Sequence, residues 1–176
     1  MRGTRLCLHL LALWLVAALV IAPSPTWAAP TQLNAYRSTE IPVIDGVIAD
    51  GEWSDMPVFN ETVSGVRMAF KHDAENLYIL VVIARSSPSD RIYFGIEFDN
   101  NGDGAHMGTS SNPDDALFIS PAFTPNNARD AFLEGFASPV YDERVGGVNN
   151  VEGKIAYQDG RYIIEMRRPL ATGDTK

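Results

Sequence analysis

The stretch IYFGIEFDNNGDGAHMG, Ile92–Gly108, starts as a strand and runs straight into a loop. Ile92, Phe94, Ile96 and Phe98 alternate with Tyr93, Gly95 and Glu97, the period of two expected of a strand with one buried face. At Asp99 the alternation stops. Asp, Asn and Gly take over, residues whose side chains bond their own backbone or that accept a left-handed turn. The strand half points to the fold class, and the loop half holds the candidate chemistry.

The same period extends outward in both directions. Val66, Met68 and Phe70 alternate with Arg67, Ala69 and Lys71, and Tyr162, Ile164 and Met166 alternate with Arg161, Glu165 and Arg167. Leu77–Ala84 is a continuous apolar run rich in β-branched residues, as expected of a central strand covered on both faces. Turn signals separate these runs at Asp45-Gly46, His72–Asn76, Ser86–Asp90, Asn100–Pro113, Thr124–Asn127, Gly146–Asn150 and Asp159-Gly160. The last lies between Val151–Gln158 and Arg161–Arg167 and predicts a tight hairpin. No long window carries a helical stripe. The pattern predicts an all-β fold, an antiparallel β-sandwich of the jelly-roll kind, with about eight short strands and turns roughly every 8–12 residues. The chain stops at Pro169–Lys176 in the middle of a turn, so further strands are expected beyond it.

The N-terminus reads as an export signal. Arg2 and Arg5 precede the apolar run Leu6–Ile21, and Thr26-Trp27-Ala28 offers small residues for cleavage. Residues 1–28 are the expected signal, 29–40 an extended linker and 41–176 the sandwich. An uncleaved signal would instead tether the protein to a membrane. The chain has 14 basic and 22 acidic residues, formal net charge −8, and loses two arginines with the signal. That balance argues against nucleic acid or an anionic membrane surface as partner. The one cysteine, Cys7, lies in the signal. The exported domain therefore lacks a disulfide, a cysteine nucleophile and covalent haem attachment. With His72 and His106 as its histidines, a hydrolytic triad or a three-histidine zinc site is hard to build.

Two metal chemistries meet in the loop. Asp99, Asn101 and Asp103, followed by Gly104, have the spacing that brings oxygen ligands to a hard cation around a sharp bend. An EF-hand-type loop closes with a bidentate glutamate where this chain has Ser110, so Asp114 or Asp115 would have to close a calcium site. The alternative is an Asp/Asn/Gly turn that bonds its own backbone. Met107, in a glycine-rich turn, offers a thioether that can ligate haem iron axially, against the more ordinary role of core filler. Trp53 either stacks on a sugar or anchors the core.

Several segments resemble known families. Ile44-Asp45-Gly46 with Gly51-Glu52-Trp53, then Asn76–Ile79 and Phe94–Asp99, resemble the shared opening of family 9 carbohydrate-binding modules and DOMON-like haem-binding domains. Asp114–Phe118, Gly146–Asn150 and above all Arg167-Arg168-Pro169-Leu170-Ala171-Thr172-Gly173-Asp174 resemble the haem-binding domain of the ethylbenzene dehydrogenase γ-subunit type. The resemblance covers residues 41–176. It implies a periplasmic or extracellular domain that binds haem b without a covalent bond and transfers electrons, catalysing no bond chemistry. Its partner would be a redox protein, a molybdenum-enzyme complex or another cytochrome. The family's methionine ligand falls at Met107, and its second ligand, a lysine or histidine, lies beyond the end of this chain.

Haem requires an apolar slot, for which Phe94, Phe98, Leu117, Phe118, Phe132 and Phe136 are the expected walls. Sugar binding requires exposed aromatic rings, and here the aromatics fall mostly on the buried strand phase. Haem is accordingly the first expectation, a carbohydrate-binding module the second, and a calcium-stabilised interaction module the third.

Overall fold

A computed structural model describes residues 34–55, 65–89, 91–99, 102, 104, 113–134 and 139–173, with the backbone of 60–63. Contacts divide the chain into Met1–Thr31 and Gln32–Lys176. The first unit lies outside the described residues, and so does the expected signal.

The second unit is a sandwich of two sheets. The described residues form ten strands in the order β1 Ala35–Arg37, β2 Asn60–Val63, β3 Val66–His72, β4 Asn76–Ala84, β5 Phe94–Phe98, β6 Asp114–Ile119, β7 Ala128–Leu133, β8 Val140–Tyr141, β9 Glu152–Gln158 and β10 Arg161–Pro169. The six-stranded sheet has the order β1-β3-β4-β10-β9, with β2 also paired to β3, and the four-stranded sheet runs β5-β6-β7-β8. All pairs are antiparallel except β1 with β3. Ala35–Arg37, in the expected linker, thus joins the sheet opposite Phe70–His72. Among the described residues the one helical element is the 3-10 turn Asp142–Arg144.

The predicted alternation sets the core. Ile79, Val81, Leu117, Ile119, Ile164 and Met166 fill the space between the sheets, none of them exposed. The β9–β10 hairpin turns on Asp159 and Gly160, at φ 51° and 74°, the two left-handed residues such a two-residue turn requires.

One edge of the sandwich closes through backbone contact. A Cβ on Gly153 of β9 would stand 2.7 Å from Ala128 Cβ and 2.8 Å from Ile119 Cδ1, so only glycine lets β9 approach the second sheet this closely. The β6–β7 turn stitches the same edge. Gly153 N donates to Asn126 Oδ1 at 2.8 Å, Ile155 N to Asn127 Oδ1 at 3.3 Å, and Asn126 Nδ2 to Val151 O at 2.6 Å. These side-chain amides occupy edge groups that a free strand would offer to other chains.

The outer face of the six-stranded sheet is covered too. Trp53, Ile44 and Ile48 pack on Ala69, Tyr78, Leu80 and Ile163 in a second core. The central strand β4 is therefore buried on both faces, as its unbroken apolar run predicts. Lys71 and Glu165, on the outward phase of β3 and β10, are fully buried beneath this N-terminal strap.

Candidate functional site

Three places gather polar or aromatic groups. The first is the strap. Glu165 accepts from Gly46 N at 2.8 Å, Asp45 N at 3.2 Å and Trp53 Nε1 at 3.0 Å. Burial raises its pKa above the ordinary value, against these three donors. Lys71 Nζ donates to Glu40 O at 2.7 Å, Glu52 O at 2.5 Å and Asp55 Oδ1 at 3.0 Å, and lies 4.9 Å from the centre of the Trp53 ring. Each donor and acceptor here serves to hold the strap. Trp53 is only 5% exposed, so it anchors the core and is not placed to stack on a sugar.

The second place is the end of the sandwich beside the Asp99 loop. Asp99 Oδ1 accepts from Gly102 N at 2.7 Å and Oδ2 from Gly104 N at 2.9 Å, so the carboxylate ties its own turn. Asp115 faces between the sheets and pairs with Arg168, whose guanidinium lies 4.0 Å from the centre of the Phe98 ring. The calcium candidates Asp99 and Asp115 are thus committed to a backbone turn and to an arginine. Asn101, Asp103 and the haem candidate Met107 lie outside the described residues. Among the described residues no group of three or more His, Cys, Asp or Glu side chains is placed to hold a metal ion.

The expected haem walls do not face one another across a slot. Leu117 and Phe132 are buried, Phe94 and Phe98 pack against the filled core, and Phe118 points to the opposite side of its sheet. Phe136 lies outside the described residues. Among the described residues these walls pack into or beside the filled core and line no slot.

The third place is the outer face of the four-stranded sheet. Register puts Tyr93, Gly95 and Glu97 on this face beside Ala116, Phe118, Arg129 and Ala131. Phe118 lies across Gly95: a Cβ there would stand 2.7 Å from ring atoms Cδ1 and Cε1. Tyr93 stacks on Phe118 with centroids 5.2 Å apart and planes 27° from parallel. Phe123 meets Tyr93 edge-to-face at 6.1 Å and Tyr141 at 6.0 Å. Such pairs add about 0.5–1.5 kcal/mol each beyond the area they bury, enough to hold the array in place without a ligand.

Two cations frame the rings. The Arg129 guanidinium lies 5.3 Å from the Phe123 centroid, and Arg144 lies 5.2 Å from that of Tyr141. Tyr93 is 51% exposed, yet its hydroxyl is turned inward to that of Tyr141. Burial of that end, then the Tyr141 hydrogen bond, pushes the Tyr93 phenol well above its ordinary pKa. The outer face thus presents the Tyr93 ring to solvent, with Phe118, Phe123 and Tyr141 half-buried beside it and Ala116 and Ala131 buried.

The expectation that the aromatics fall mostly on the buried strand phase is corrected here for Phe118, which is half-buried on the outer face, whereas Tyr93 is exposed as its place in the alternation predicts. Phe118 sits in the apolar run Ala116–Ile119 and looks like core by composition. The signal that places it outside is Gly95, opposite it in register on the polar phase of β5. A further groove, of about 430 Å³, is lined by Pro88, Pro121, Ile155, Tyr157 and Tyr162. Its tyrosine hydroxyls bond Ser89 and Arg85 backbone.

No family model matches the chain, and no curated protein does. Among solved structures it is similar to a family 9 carbohydrate-binding module from Caldicellulosiruptor kristjanssonii in complex with glucose. The two share 20% identity over 77% of this chain and 68% of that one, with a TM-score of 0.49.

Proposed function

We propose that this chain is a carbohydrate-binding domain of an exported protein, holding a glycan on the outer face of its four-stranded sheet and breaking no bond there. The observation that carries the reading is the exposed Tyr93 ring on the outer face, backed by the half-buried rings of Phe118, Phe123 and Tyr141. The C–H face of a pyranose packs on an aromatic ring face, and the rigid rings lose little entropy in the contact. The half-exposed Tyr93 ring, held by its stack on Phe118 and its edge contact with Phe123, suits such stacking. The N-terminal signal read from the sequence supplies the exported setting in which polysaccharides are met.

The test is a panel of soluble and insoluble polysaccharides presented to the purified chain, with Tyr93→Ala and Phe118→Ala beside it. Binding of at least one glycan, weakened about tenfold or more (~1.4 kcal/mol) in either variant, is expected. Failure to bind any glycan, or binding by both variants as tight as that of the unaltered chain, would overturn the reading.

A further inference from the structure

Resting on that reading, we infer that the glycan held at Tyr93 is an acidic one, whose carboxylate or sulfate groups are read by Arg91 and Arg144. The distribution of charge along the smaller sheet carries this. Between positions 91 and 149 the chain has three basic residues besides histidine, namely Arg91, Arg129 and Arg144. All three stand at the end of the sheet that holds the rings. Arg91 is exposed two residues before Tyr93, while Arg129 packs on Phe123 at 5.3 Å and Arg144 on Tyr141 at 5.2 Å.

Register sends acidic residues to the opposite end. β5 and β7 both run away from the rings, so Glu97, Asp99 and Glu134 lie at their far ends. Glu97 is four residues beyond Tyr93, about 13 Å at the rise of a strand. The Debye length at physiological salt is about 8 Å. An anion at Tyr93 is therefore screened from that end, and from much of the net charge of −8, while the arginines stand close to it. Among the described acids, Glu143 and the buried Asp142 share the ring end, and Glu143 offsets one of the three cations. Asp90, next to Arg91 in sequence, lies outside the described residues.

The three arginines do not have the same task. Arg129 donates to Thr124 O, Asn126 O and Ala128 O, so it adds positive charge with its donors largely taken. Arg91 and Arg144 are exposed, and among the described residues neither meets a carboxylate. A guanidinium packed on a ring keeps N–H donors on its edge, where a carboxylate or sulfate is taken by two parallel hydrogen bonds. Arg144 rests on Tyr141, whose hydroxyl is bonded to that of Tyr93. A sugar stacked on Tyr93 thus brings its acid group beside a cation on either side.

Calorimetric titration of the full chain tests this with two pairs of oligosaccharides: hexagalacturonate against its methyl ester, and a sulfated galactan oligomer against its desulfated form. At about 0.15 M salt at least one acidic chain should bind about fivefold or more tightly than its neutral counterpart. At about 1 M salt the ratio should fall to about twofold or less. The double variant Arg91→Gln with Arg144→Gln should bring the ratio to about twofold or less at the lower salt, chiefly through loss on the acidic chain. The inference is overturned, with glycan binding left standing, if both neutral chains match their acidic counterparts or if the double variant keeps the ratio. Polyglutamate bound as tightly as the acidic glycan would also overturn it, since charge alone would then suffice. If no glycan binds at all, it falls together with the proposed function.

Discussion

Trp53 Nε1 donates to Glu165 Oε1 at 3.0 Å, joining residues 112 apart in sequence across the outer face of the larger sheet. With the amides of Asp45 and Gly46 on Oε2, this carboxylate gathers three donors from one strap. Glu165→Gln keeps an acceptor, does not titrate and, like the protonated acid, turns a donor toward one of the three strap donors, so wild type and variant should differ chiefly in how their stability depends on pH. Burial raises the Glu165 pKa above 4.5 in the folded chain. Its contribution is therefore complete below 4.5 and is lost as pH rises through the raised value. The stability of wild type relative to Glu165→Gln should accordingly be highest in acid and fall toward neutral pH. A wild type that gains on the variant as pH rises would refute this account.

Asp73 behaves with the opposite sign. Its Oδ2 accepts from the Tyr78 hydroxyl at 2.7 Å, and its Oδ1 from Glu75 N and Asn76 N, each at 2.7 Å. The Tyr78 hydrogen bond, then the Glu75 amide, lowers its pKa from 3.8 to about 2. The stability it contributes is present above 3.8 and is lost as pH falls through about 2. Asp73→Asn should flatten the acid limb of the stability curve between those values. Denaturation midpoints measured across that window check it, and an unchanged acid limb would count against the assignment.

Lys71 and Asp55 should not be equivalent, although they form one ion pair at 3.0 Å. Lys71 also satisfies two strap carbonyls, so Lys71→Met orphans three acceptors. Asp55→Asn leaves the ammonium two of its partners, and an amide oxygen can still accept from it. The expected losses are about 3–5 kcal/mol for Lys71→Met and about 1–2 for Asp55→Asn by urea denaturation. Equal losses would mean that the carbonyls contribute nothing.

How much of this was readable beforehand follows from which interactions are local. Alternation in Val66–Phe70, Ile92–Phe98 and Tyr162–Met166 gave the strands and the inner core, because period two is a property of each strand alone. The Asp159-Gly160 hairpin was legible for the same reason. Lys71 and Glu165 were not, since their phase points away from the inner core and only the distant strap buries them. Asp115 looked like part of the loop because it is near it in sequence, but its strand phase turns it inward to Arg168. Phe118 looked like core because nothing in Ala116–Ile119 reveals that its partner across the sheet is a glycine. Each miss is a pairing between residues far apart in the chain, which periodicity does not encode.

Two glycines separate stability from the proposed binding surface. At Gly153 an added Cβ would meet Ala128 Cβ and the Ile119 side chain, both held in the core. Relief would require the sheets to move apart, so Gly153→Ala should cost about 1–3 kcal/mol. At Gly95 the same methyl would meet only the ring of Phe118, which is partly exposed and able to tilt. Alanine favours a strand over glycine by about 0.5–1 kcal/mol, which offsets most of the about 0.5–1.5 kcal/mol lost with the Tyr93–Phe118 stack, so Gly95→Ala should change stability by no more than about 1 kcal/mol. Yet it would lift Phe118 off the sheet and break the near-parallel stack with Tyr93. Gly95→Ala should therefore weaken glycan binding several-fold at nearly unchanged thermal midpoint, while Gly153→Ala should lower the midpoint and leave binding by the folded fraction intact. Paired melting curves and titrations decide it. If Gly95→Ala binds like wild type, Phe118 is not part of the proposed site.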